Sequence, residues 1–155
     1  MTDKPGQRTV NDPPIYLQLV PGATLPDIAA LAPFRAVVIV DVIVTADWRR
    51  QISEWLVDMG CRYMMAWGHD CGAWDDSVDD ASLQRFDGGD VPDDASVTTT
   101  WHADESLSEV FVYCEHCASH ATVELRHTVL AHIADRSDAG VIAAYHEAVR
   151  SAELS

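Results

Sequence analysis

Apolar residues fall along this chain in two rhythms, short continuous runs and runs spaced three and four apart, and the rhythms alternate. AVVIVD, residues 36–41, is continuous and β-branched, as a central parallel strand covered on both faces should be. Asp41 closes it. The next stretch puts Trp48, Ile52, Trp55, Leu56 and Met59 on one helical face. Thr45 is placed to cap that helix, Asp47 to gain from its dipole and Gly60 to stop it. CRYMMAW, ending at Gly68, returns to the continuous rhythm. The pattern predicts a strand–helix–strand unit with a right-handed crossover.

The alternation extends both ways. IYLQLV, residues 15–20, reads as a short strand, followed by a Pro-Gly turn and a short helix near residues 26–31. VTTTW, residues 97–101, reads as a strand. Asp104 is a candidate N-cap for a helix to about Ala118, with Leu107, Val110, Phe111, Cys114, Cys117 and Ala118 on its apolar face. VELRHTVLAHI alternates at period two, with Val123, Leu125, His127, Val129 and Ile133 on one side. An amphipathic helix over residues 138–151, through Val141, Ile142, Tyr145 and Val149, closes the series. Helices between strands predict a three-layer α/β sandwich, Rossmann-like, with a mostly parallel sheet of four or five strands. A polar stretch with Pro5, Gly6, Pro13 and Pro14 reads as a flexible lead-in over residues 1–14, ahead of one domain over residues 15–155.

Composition narrows the class. The chain has 155 residues, 48% of them apolar, enough for a real core. Its polar N-terminus lacks the apolar h-region of a secretory signal, and no apolar run approaches the ~20 residues of a membrane helix. A soluble, cytoplasmic protein is the expectation. Twenty-five acids against ten bases give a net charge of −15, and Lys4 is the sole lysine. That balance excludes nucleic acid bound by direct phosphate contact, which needs clustered lysine and arginine. It fits solvation, and equally a basic protein partner.

The densest chemistry is WGHDCGAWDDSVDDA, residues 67–81, beginning where the second strand of the unit ends. In parallel α/β sheets, ligands bind beyond the carboxyl ends of the strands. Asp41 should end one strand there, and His102 and Asp104 should follow another. Asp41, His69, Asp70 and His102 are therefore the candidate catalytic residues, and Cys71, Trp74, Asp75, Asp76 and Trp101 the candidate binding residues. Asp75/Asp79 and Asp76/Asp80 are four apart and repel mildly on a helix. They read as a solvated capping turn, or as carboxylates that a hard cation would relieve. The calcium-loop pattern is absent, and no metal site or cofactor is assigned.

Cysteines stand at 61, 71, 114 and 117. His69 lies near Cys71, but Asp70, Asp75 and Asp76 favour its neutral thiol over a nucleophilic thiolate. Cys114 and Cys117 share the apolar helical face while His116 and His120 project opposite, so the pair is expected to be buried, reduced and metal-free. His127 and His132 read as core or edge histidines. P-loop, GxGxxG, GxSxG and HExxH motifs are absent.

YMMAWGHDCGAWDDSVD and VTTTWHADESLSEVF, with LPDIAALAPFRAVVIVD upstream, resemble a family of small bacterial proteins catalogued only as a domain of unknown function. The resemblance spans about residues 15–150 and implies no activity, ligand or catalytic residue. Cys114 and Cys117 fall outside its pattern.

Two classes of function follow. The first is an acidic binding or regulatory domain that engages a protein partner through its acidic rim and exposed aromatics, Trp74 and Trp101. The second is an enzyme at the same rim, with Asp41, Asp70 and Asp76 holding a divalent cation for hydrolysis and His69 or His102 as general acid or base. The charge and the missing catalytic motifs favour the first.

Overall fold

Every residue of Phe34–Val40 (β2) is buried, as its unbroken apolar character demands. In this computed structural model, which describes residues 12–154, β2 is the middle strand of a five-stranded sheet. The others are Ile15–Leu19 (β1), Cys61–Gly68 (β3), Thr98–Trp101 (β4) and His127–Ile133 (β5). Their order is β1-β5-β2-β3-β4, and every neighbouring pair is parallel. The lead-in expected over residues 1–14 falls mostly outside the described residues.

Helices Ala46–Met59 (α1), Cys71–Arg85 (α2), Leu107–Cys117 (α3) and Gly140–Glu153 (α4) make the outer layers. Alternation along β2 divides the core. Phe34, Ala36, Val38 and Val40 pack with Trp48, Ile52, Trp74 and Val78 of α1 and α2. Val37 and Ile39 pack with Val110, Phe111, Val141 and Tyr145 of α3 and α4. The expected three-layer α/β sandwich is present. Among the described residues no helix is long and apolar enough to cross a membrane.

The cap of α1 is as read. Thr45 Oγ1 accepts from Trp48 N at 3.1 Å, and Gly60 adopts φ 106° after its last turn. A Cβ at Gly60 would come within 2.2 Å of Ala32 Cβ, so only glycine fits.

Several expectations need correcting. Ser106, not Asp104, caps α3, because Ser106 and Glu109 exchange side-chain-to-backbone bonds of 3.1 Å each in a capping box that Asp104 has no partner to form. Asp104 instead takes φ 63° in the turn. The helix expected near residues 26–31 is a single 3-10 turn, Ala29–Leu31. Residues 123–133 do not alternate as one strand: β5 starts at His127 and is covered on both sides. Helix α2 begins at Cys71, so neither Asp75 nor Asp76 caps it. Cys114 is buried but Cys117 is exposed, at the last residue of α3 where the buried stripe gives way to solvent.

The four thiols are consequently unequal, and none is in a disulfide. Burial pushes the Cys61 thiol up to about 12, where attack by thiolate is negligible near neutrality. A disulfide reagent should titrate Cys117 rapidly in the native protein and the other three only on unfolding. Cys117→Ser should remove the fast phase; a second fast thiol would contradict the burial of Cys71 and Cys114.

Between β2 and α3 lies a buried polar network unannounced by the sequence pattern. Arg35, 2% exposed, donates through Nε to Thr128 Oγ1 at 2.7 Å and through a terminal nitrogen to Ala118 O at 3.2 Å. It faces Glu115 at 3.7 Å, which accepts from the Tyr145 hydroxyl at 2.7 Å. The network ties β2, β5, α3 and α4 together.

Candidate functional site

The carboxyl ends of β2, β3 and β5 are knotted by backbone bonds just past the strands. Asp41 N donates to Ile133 O and His69 N to Val40 O, both at 3.0 Å. Gly68 makes the second possible: at φ 102°, a Cβ there would lie 2.3 Å from Val40 O. After β2 the chain turns to the α1 face and after β5 to the α4 face. The crevice between two such strand ends is where open parallel sheets place ligands.

Asp41 stands in that crevice, exposed, and is hydrogen-bonded to Nε2 of the buried His132 near the end of β5. His132 Nδ1 lies 2.7 Å from the Tyr16 hydroxyl of β1. An Asp41 carboxylate only accepts, so Nε2 carries the proton; in a neutral imidazole Nδ1 then accepts from the Tyr16 hydroxyl, whose oxygen in turn accepts the Asp138 N–H at 2.9 Å. Both ring nitrogens are thereby occupied. The outer edge of this chain is an oriented carboxylate, suited to receive a cation or a hydrogen-bond donor. His132 is buried, as a core histidine should be, but nothing in the sequence marks it or Tyr16 as a partner of Asp41. Their one signal is a polar residue near the end of an otherwise apolar buried strand, which must find partners for both nitrogens.

His102 is buried behind β4 rather than open to the crevice. Its Nε2 lies 2.8 Å from Thr100 Oγ1 and its Nδ1 3.0 Å from Glu105 Oε2. Its ring meets Tyr113 edge-on, centroids 4.9 Å apart, and Trp67 Nε1 donates to Glu105 O at 2.7 Å. This is a brace for the turn into α3.

The other candidates scatter. His69 and Asp70 form the two-residue turn into α2 and are exposed, Asp70 with φ 55°. Cys71 is buried at the helix start, and Trp74, expected to be exposed, is 0% exposed: it lies on the stripe of α2 that meets the sheet. Asp76 faces α1 across a groove of about 330 Å³ shared with Arg49, Arg50, Ser77, Asp80 and Gln84, a lining that does not include Asp41. Among the described residues no three His, Cys, Asp or Glu side chains gather as metal ligands, so Asp41, Asp70 and Asp76 do not form the cation site of the enzyme hypothesis. Trp101, on the α2 face of β4, is 56% exposed.

Asp75 is the anomaly. It is 7% exposed, and among the described residues its Oδ1 has no hydrogen-bond partner. One turn on, burial and then the neighbouring acids push the Asp79 carboxyl above its usual range, against an opposing bond from Thr99. An unsatisfied buried carboxylate destabilises a fold. Asp75→Asn should therefore leave the protein at least as stable, by up to about 1 kcal/mol, as read by urea unfolding. A clear loss of stability would mean that the carboxylate has a partner in solution.

Comparison with protein families adds one decisive match, to the model of a domain of unknown function, DUF7684, over residues 14–151. The chain belongs to this family. No curated protein and no solved structure matches significantly. The match covers all five strands and most of α4 of this DUF7684 domain, so the crevice, the Asp41–His132–Tyr16 chain and the acidic helix α2 all lie within it.

Proposed function

We propose that this DUF7684 domain is an acidic binding module that engages a protein partner at the carboxyl edge of its sheet. The observation that carries this reading is a pair of large apolar side chains exposed at that edge, Ile43 at 73% and Trp101 at 56%, beside exposed Asp41, Asp70, Asp104 and Glu105. Apolar anchors among charged residues are the make-up of a recognition surface. The two buried histidines near this edge, His132 and His102, have both ring nitrogens engaged, which favours recognition over proton transfer. Reduced thiols accord with residence in the cytoplasm.

A photo-crosslinking residue placed at 43 or 101 should give a discrete protein adduct in cells. The same residue at exposed Leu83 or Leu154, away from the edge, should not. Equal labelling from all four positions, or none from 43 and 101, would end this reading. A catalytic reading of the same edge draws on the placement of the Asp41–His132–Tyr16 chain in the crevice. Under it, Asp41→Asn abolishes turnover of a small substrate while leaving any adduct intact.

A further inference from the structure

We infer that the α2 side of edge strand β4 is a seat for a lysine or arginine side chain carried on an extended segment of the partner, with Asp75 as counter-charge and Trp101 as the flat wall. The inference rests on the binding-module reading and specifies the chemistry of its partner.

The register between α2 and β4 builds the seat. Thr99 Oγ1 donates to Asp79 Oδ1 at 2.8 Å, which fixes the helix against the strand. Helix α2 runs back from the carboxyl end of β3, antiparallel to β4. One helical turn from Asp79 toward the N-terminus is Asp75, a rise of about 6 Å. Two residues along β4 from Thr99, on the same face, is Trp101, again a rise of roughly 6–7 Å. Asp75 and Trp101 thus stand level with each other. One brings a buried carboxylate oxygen without a partner and the other a largely exposed indole. A carboxylate beside an indole face is the pairing that holds an ammonium or guanidinium group.

The chain's own cations near α2 are placed elsewhere. Arg85 pairs with Asp58 at 2.5 Å, and Arg49 and Arg50 line the groove on the α1 side. With Asp76, Asp79 and Asp80 on the same helix, the field around the seat is negative.

The strand supplies the rest. Among the described residues β4 ends the sheet order, with β3 as its one strand neighbour. His102 N donates to Ala66 O of β3 at 3.0 Å. By the two-residue period of a strand, the peptide groups of Thr99 and Trp101 then point away from β3, toward the open edge. An edge of this kind takes an added strand through main-chain bonds, and pockets for alternate side chains read its sequence.

The test uses short capped peptides of alternating valine and lysine, with arginine, norleucine and glutamate versions, followed by amide and indole NMR. Calcium and magnesium chloride serve as a further arm. The lysine and arginine peptides should saturably shift the Thr99 and Trp101 amides and the Trp101 indole, and the norleucine and glutamate peptides should not. Asp75→Asn should weaken binding at least tenfold, and Asp76→Asn, on the α1 side, less than threefold. No saturable shift at millimolar peptide would overturn the inference. So would shifts at Asp41 and Ile43 without any at β4, an outcome that leaves the binding-module reading standing. Calcium or magnesium reproducing the β4 shifts, with loss in Asp75→Asn, would make the seat a metal site and overturn it too. Absence of photo-adducts from positions 43 and 101 bears instead on the parent reading.

Discussion

Arg35→Met should lower the free energy of unfolding by about 3 kcal/mol, toward the lower end of the roughly 3–5 kcal/mol penalty for breaking a buried ion pair from one side, because Glu115 keeps some contact with solvent. The change removes the guanidinium that binds Thr128, Ala118 O and Glu115, and leaves their oxygens to face a thioether. For a domain of this length that corresponds to a fall in Tm of roughly 6–12 °C. Adding Glu115→Leu should recover part of the loss, because the carboxylate that has lost its counter-charge goes with it. If the double variant is as unstable as the single one, the damage comes from packing around β2 rather than from uncompensated charge. Thermal and urea unfolding of the two variants decide the matter.

Trp74→Ala should cost as much or more, at about 3–5 kcal/mol. Trp74 is completely buried on the α2 stripe and packs in the layer that holds Trp48, Ile52 and Val78, so truncation opens a cavity that two helices and a sheet cannot close. Trp101→Ala should alter stability by no more than about 0.5 kcal/mol, although both residues are tryptophans of the same acidic region. Comparable losses from the two substitutions would show Trp101 to be packed in solution.

That contrast marks the limit of what residue type encodes. Continuous apolar runs place β2 and β3 within a residue or two, and helical spacing places α1, because burial on two faces or on one stripe leaves its period in the residue types. Fold class follows from their order. Trp74 has the same composition-level signature whether it faces the sheet or solvent; its orientation depends on the helix starting at Cys71, four residues before the first aspartate of the DDSVDD run. The N-cap of α3 is ambiguous in the sequence for a similar reason. Asp104 and Ser106 are both good caps by residue type, and the reciprocal bonds with Glu109 decide between them. At the crevice, strand ends located Asp41 and His69 on one edge. The partners that orient Asp41 lie far away in sequence: Tyr16 and His132 are 116 residues apart, and Asp41 and His132 are 91 apart. No local pattern encodes such a pairing. The unpartnered oxygen of Asp75 is equally silent, since only packing reveals that a helical aspartate is buried.

The position of β5 governs the order in which the molecule can assemble. Helices α1 and α2 join neighbouring strands, so β2, β3 and β4 can dock on one another as they are synthesised. Among the described residues β1 pairs with β5 alone, Ile15 opposite Val129, and β5 also fills the other side of β2, Phe34 opposite His127. Until residues 127–133 leave the ribosome, β1 lacks its strand partner and β2 presents an unpaired apolar edge, a state prone to aggregation. In the finished protein the last strand acts as a bolt through the sheet, and withdrawing it frees β1 at once. Amide protons of β1 should therefore exchange at least as fast as those of β5 in every local opening of the native protein.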